Sequence, residues 1–212
     1  MTAQGHEPDA SRRPIKARGN RVIQAIAATL VRSSLTPNAI SVLSIVFAAA
    51  GAAALLWWPA WGAWACALGI QLRLLCNLFD GMVAVEGGKS SATGALYNEV
   101  PDRVADSVLL VALGYAAGLP WAGWAAALLA ALTAYIRTLG GALEQPQDFR
   151  GPMAKQHRMA LMTLACVAAP VEAWANGTHH ALLVAVLVIA VGSLLTCFTR
   201  LRAIAQRLEA KA

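Results

Sequence analysis

A chain of 212 residues that is 58% hydrophobic and only 13% charged is too apolar for a water-soluble domain of its size, which places it in a bilayer. Its net charge of +6 is not gathered on one compact face, which excludes a nucleic-acid-binding surface as the explanation of that charge. Cys66, Cys76, Cys166 and Cys197 all fall in apolar stretches without C-x-x-C spacing and read as small core hydrophobes, neither metal ligands nor a disulfide frame.

Residues 1–19 are polar, with Pro8, Pro14 and Gly19, and predict a disordered cytoplasmic tail. Over residues 20–33, Val22, Ile23, Ile26, Leu30 and Val31 recur near helical spacing, with Arg21, Gln24 and Arg32 elsewhere. This is the pattern of an amphipathic helix lying in the headgroup plane. Residues 34–200 hold six stretches that reach or approach the roughly 20 residues a helix needs to cross the hydrocarbon. They lie at 39–58, 60–79, 101–118, 121–140, 157–175 and 180–198, and residues 201–212 form a second cytoplasmic tail. The expected fold class is an all-α polytopic membrane protein, six transmembrane helices preceded by the interfacial one.

Basic residues report the orientation. Arg12, Arg13, Lys16, Arg18, Arg21 and Arg32 precede the first span, and Arg200, Arg202, Arg207 and Lys211 follow the last. Lys89 sits in the second connection and Arg150, Lys155 and Arg158 in or beside the fourth, whereas the connections around Pro59, Pro120 and Asn176 carry no Lys or Arg. Both termini are therefore expected in the cytoplasm, and in a bacterium the membrane would be the inner one. Trp57, Trp58, Trp61, Trp121, Trp124 and Trp174 cluster by the outer connections, where amphipathic rings favour the headgroup layer. The Ala- and Gly-rich runs at 48–54 and 125–131 would let helices approach closely.

Across residues 77–106 this apolar chain collects Asn77, Asp80, Glu86, Lys89, Asn98, Glu99, Asp102, Arg103 and Asp106. A charge at a membrane helix centre costs ~2.5–3.5 kcal/mol on insertion scales, so each recurrent carboxylate needs a compensating base or cation. Arg73, Asn77, Asp80 and Ala84 recur at i, i+4, i+7 and i+11, and Asn98, Asp102 and Asp106 at i, i+4 and i+8, with Glu99 beside them. Two helices thus each present an oxygen-rich stripe, and the short loop between them predicts that they are antiparallel neighbours with facing stripes. Oxygen ligands without His or Cys suit a hard ion, Mg2+ or Mn2+. The plainer reading of the same residues is a set of buried hydrogen bonds and an Arg103 salt bridge to Glu99 or Asp106 that staples helices together.

The stretch from Asn77 through Asp80-Gly81-x2-Ala84 to Gly94-x3-Asn98-x3-Asp102 resembles the signature of the CDP-alcohol phosphotransferases, D-x2-D-G-x2-A-R-x8-G-x3-D-x3-D, with every spacing kept. Thr36-Pro37-Asn38-Ala39-Ile40-Ser41 resembles the family's T-P-N segment at the start of the first span. The family's first and third Asp are Asn77 and Asn98 here, and the Arg after Ala84 is Val85. Such substitutions keep oxygen donors but remove two negative charges, which weakens a two-cation site. The altered pattern resembles that of a bacterial branch of the family.

The resemblance implies a phosphatidyl transfer from a CDP-linked lipid donor, CDP-diacylglycerol or a soluble CDP-alcohol, to an alcohol acceptor with release of CMP. It implies metal ions on Asn77, Asp80, Asn98 and Asp102, with Glu99 or Asp106 supplying the missing charge, and Asp102 as the catalytic base. Thr36, Asn38, Gly81, Ala84 and Gly94 would lie against the nucleotide and its diphosphate. Lys155 and Arg158, one turn apart at a helix N-terminus, would clamp an acceptor phosphate or the diphosphate, covering for the Arg absent at Val85. The family also implies a homodimer. Two other readings stand beside this one: a catalytically impaired member acting as a membrane scaffold, and a divalent-cation transporter, against which the polar residues stop near one membrane face.

Overall fold

The computed structural model describes residues 20–178 and 180–210, so the tail expected at 1–19 lies outside the described residues. These residues form seven helices and no strand: α1 (Arg21–Arg32), α2 (Pro37–Trp57), α3 (Gly62–Glu86), α4 (Gly94–Ala116), α5 (Pro120–Ala142), α6 (Lys155–Asn176) and α7 (His180–Glu209). Five of them, α2, α3, α5, α6 and α7, are long and apolar enough to cross a membrane. The protein is an all-α polytopic membrane protein. At 23 residues α4 has the length, about 34 Å at 1.5 Å per residue, but it carries Glu99, Asp102, Arg103 and Asp106 and is the polar member of the bundle.

Helix ends depart from the expected spans where polar sequence continues the helix. α3 runs on to Glu86 where its span was expected to stop at 79, α4 begins at Gly94 rather than 101, and α7 continues to Glu209 through what reads as a tail. Apolar length counts only what hydrocarbon must cover, whereas backbone hydrogen bonding carries each helix further.

Local chemistry sets the starts. The Asn20 side chain accepts from Val22 N–H at 2.8 Å and caps α1, whose Ile23, Ala27, Leu30 and Val31 pack on Cys76, Phe79, Met82 and Val83 of α3. Thr36 Oγ1 accepts from Ala39 N–H at 3.2 Å with Pro37 at the first helical position, so the T-P-N segment is a helix start.

The six long helices close into a ring in the packing order α2, α3, α6, α7, α5, α4 and back to α2, with α1 outside on α3. α3 and α4, expected as neighbouring antiparallel helices with facing stripes, are joined across those stripes by side-chain bonds from Arg73 and Asn77 to Asp102, and α2 packs on both of them. The two facing polar stripes meet through hydrogen bonds and ion pairs instead of apolar interdigitation. One apolar core, from Ala48, Cys66 and Ile70 through Leu109, Leu113 and Ala126 to Met162 and Ile189, fills the bundle beyond these polar contacts.

Small residues make a close crossing of α4 on α5. A Cβ on Gly114 of α4 would stand 2.5 Å from Gly123 Cα of α5, and one on Gly123 would stand 2.8 Å from Leu110 O. We expect Gly114→Ala to destabilise the protein by about 1–3 kcal/mol through overpacking against backbone that has no rotamer to yield. A thermal melt in detergent identical to the wild type would show that the two helices do not meet there.

Candidate active site

Helical period places Arg73, Asn77 and Asp80 on the face of α3 that looks toward α4, and Asn98, Asp102 and Asp106 on the answering face. Asn77 Nδ2 donates to Asp102 Oδ1 at 2.7 Å. Arg73, wholly buried, donates to the same oxygen at 3.2 Å and lies 2.5 Å from Asp106 Oδ1. Lys155, the first residue of α6, bonds Asp102 Oδ2 through its ammonium, with Arg103 at 3.6 Å from that oxygen. One turn on, the buried Arg158 donates to Asp106 Oδ2 at 3.0 Å and to the Met153 carbonyl at 3.0 Å. Asp106 is thus clasped by two guanidiniums, 2% exposed, and ties α3, α4 and α6 together.

Asp80 lies apart from this network. It is 6% exposed, accepts from the Ser41 hydroxyl of α2 at 2.6 Å, and also receives the Gly81 N–H. Among the described residues it has no ion-pair partner. Glu99 sits at the rim, 2.5 Å from Arg137 of α5 and 3.5 Å from Arg103. Glu99 and Asp106, expected to lend charge to a metal, therefore both face arginines. No three of Asp, Glu, His and Cys gather as a metal cluster among the described residues.

Two cavities flank the site. The first, about 360 Å³, is lined by Asn38, Ser41, Asp80, Gly81, Ala84, Val85, Lys89, Gly94 and Asn98, among others. The second, about 550 Å³, is lined by Asn77, Asn98, Glu99, Asp102, Arg103, Arg137, Lys155, Arg158 and Arg200, with Leu74, Leu75, Leu78 and Phe149 completing an apolar flank. Asn98 lines both, so the two cavities meet at this residue. Of the expected nucleotide-side residues, Asn38, Gly81, Ala84 and Gly94 line the first cavity, and Thr36 instead caps α2. Lys155 and Arg158 line the second, away from Val85.

Several residues of the site carry weaker sequence signals. Arg137 and Arg200 lie within or beside apolar spans, and intramembrane arginine is itself a flag. Arg200 donates to the Thr133 carbonyl at 2.6 Å and the Arg150 carbonyl at 2.9 Å, and Arg137 stacks 5.6 Å from the Phe149 ring centroid. The connection that carries Phe149 is strapped to α7 by Asp148, which pairs with Arg150 at 2.8 Å and Arg207 at 3.0 Å. The hydrogen bonds from Arg150 hold the Asp148 carboxyl below the usual carboxylate range.

No family model matches the chain. It is similar to a phosphatidylinositol phosphate synthase of Streptomyces avermitilis, 28% identical over 192 residues that cover 85% of this chain and 76% of that protein. Its fold matches the crystal structure of Mycobacterium tuberculosis phosphatidylinositol phosphate synthase with CDP-DAG bound, at a TM-score of 0.71 and 25% identity, over 87% of this chain and 94% of that one. The same enzyme in complex with manganese and citrate matches at a TM-score of 0.70 and 25% identity, over 86% and 88%. Phosphatidylinositol phosphate synthases are CDP-alcohol phosphatidyltransferases, so the relatives of this chain are transferases of that class.

Proposed function

We propose that this protein is a CDP-alcohol phosphatidyltransferase of a bacterial inner membrane, its site facing the cytoplasm, which moves the phosphatidyl group of CDP-diacylglycerol to a hydroxyl of a phosphorylated polyol. The acceptor oxygen forms a bond to the phosphatidyl phosphorus, the phosphoanhydride bond to CMP breaks, and the hydroxyl proton passes to Asp102. CMP leaves with the electron pair. The observation that carries the reading is the pair of cavities meeting at Asn98: one edged by the motif residues Asp80, Gly81, Ala84 and Gly94, the other basic, with Asp102 on its wall.

Each side chain has a task in this scheme. Gly81 and Gly94 let the nucleotide approach backbone closely. Arg137, Arg200 and Lys155 favour an acceptor that carries a phosphate, while the leucines of the same cavity line a path toward the bilayer for the acyl chains. Asp102 lines that cavity, where an acceptor hydroxyl would come within its hydrogen-bond reach, the geometric demand on a general base.

A divalent ion is tested by the donors present. Asp80 is a buried carboxylate that pairs with no base among the described residues, it lines the first cavity together with the Asn98 amide, and a hard cation bound through one or two carboxylates plus substrate phosphates is the usual magnesium arrangement. One such ion, Mg2+ or Mn2+, fits beside Asp80 and Asn98, and when bound it would neutralise charge on the diphosphate. Asp102, held by Asn77, Arg73 and Lys155, is less open to a second.

The reaction is checked directly with protein in lipid nanodiscs, given CDP-diacylglycerol, Mg2+ or Mn2+ and a panel of acceptors. We expect CMP release with inositol phosphate or glycerol phosphate and none with serine or choline. Silence with every acceptor would favour the scaffold reading.

A further inference from the structure

Every other cation described around the site is matched to a carboxylate or buried among carbonyls: Arg73, Lys155 and Arg103 to Asp102, Arg158 to Asp106, and Arg137 to Glu99. Arg200 spends two of its nitrogens on backbone carbonyls in the second cavity. Lys89 differs from all of these. It lies in the seven-residue connection between α3 and α4, brought back toward the start of α2 by a turn in which Gly88 takes a left-handed φ of 60°. Its ammonium donates to the Ser33 carbonyl at 2.7 Å, with the Leu35 carbonyl at 3.5 Å. Both partners are neutral, so among the described residues its charge is not cancelled by any carboxylate. An ammonium has three donors, and two carbonyls leave one to spare.

That charge edges the first cavity, alongside Val85, where the family pattern has an arginine. Lys155 and Arg158, the expected substitutes for it, line the second cavity. Lys89 is the basic side chain among those lining the first. We infer that Lys89 is the diphosphate-binding cation of this protein, fixed in place by the α1–α2 linker and standing in for the arginine missing at position 85. The inference rests on the proposed use of a CDP-linked donor, because a diphosphate is the anion that this cavity would hold. Val85 is half exposed on the same wall, so a long cationic side chain placed there would reach the same space.

Donor kinetics and direct donor binding together test this. In nanodiscs, Lys89→Met is expected to raise the KM for CDP-diacylglycerol about ten- to a hundredfold, the loss of one hydrogen bond to a charged group, with the acceptor KM unchanged. Lys89→Arg should stay near the wild type. Adding Val85→Arg to Lys89→Met should restore most of the donor KM, although an arginine on α3 does not rebuild the clamp on Ser33. Donor KM unchanged in Lys89→Met would overturn the inference. So would a loss that Val85→Arg does not repair, since it would assign Lys89 to holding the linker alone. Equilibrium binding of CDP-diacylglycerol, measured without acceptor, separates the two levels. A wild type that binds the donor Lys89-dependently yet releases no CMP sinks the transfer reaction and leaves the binding role standing, and a wild type that does not bind it sinks both.

Discussion

Asp102→Asn is expected to lower CMP release by about 10²–10⁴-fold, the usual worth of a positioned general base, while the protein still folds. The amide keeps an oxygen for the Asn77 and Arg73 donors and loses the proton acceptor and the negative charge. The charges it abandons are not stranded. Arg73 retains Asp106 at 2.5 Å, and the side chains of Lys155 and Arg103 are 29% and 26% exposed, enough to turn toward water. Release of CMP with saturating donor and acceptor, compared with the melting temperature of the same preparation, separates chemistry from fold. A variant that keeps the wild-type rate would remove Asp102 from the role of base.

The register of this site is legible in sequence because helical period is a property of local backbone. Arg73, Asn77 and Asp80 at i, i+4 and i+7 must share a face, and Asp102 and Asp106 must share another. Which helices pack together is not local: the short connection after α3 brings the stripes of α3 and α4 face to face, but nothing in either stripe announces that α2 packs on both helices. The partner of each carboxylate is equally hidden. Ser41 reads as a helix-start residue and becomes the donor to Asp80, while Arg200 reads as a topology signal and lines the basic cavity together with Arg137, which no motif or charge pattern singles out. Fold class follows from composition, since a chain this apolar has to satisfy its backbone internally and helices do so without a partner strand. Side-chain pairing across a bundle depends on angles and offsets that no periodicity encodes.

One turn along α4, the same substitution should have a different outcome. Asp106→Asn leaves Arg73 and Arg158, 0% and 1% exposed, to share an uncharged amide in the bundle interior, and Arg158 has no other carboxylate within ion-pair distance among the described residues. Removing one partner of a buried ion pair costs about 3–5 kcal/mol, because the stranded charge can neither reach water nor find a new base. Against a total stability of roughly 5–15 kcal/mol, a loss of that size should show as a sharply lower melting temperature and poor recovery from the membrane. Adding Arg158→Met should recover part of it, since Arg73 still has Asp102 and the stranded guanidinium is gone. A lone Arg158→Met is expected to be milder than Asp106→Asn, as it leaves one guanidinium for one carboxylate. Asp106→Asn that melts with the wild type, or that is not helped by Arg158→Met, would show that this triad does not hold α3, α4 and α6 together. The two aspartates then differ by what surrounds them: Asp102 faces a cavity and partners that can move, and Asp106 faces only guanidiniums that cannot.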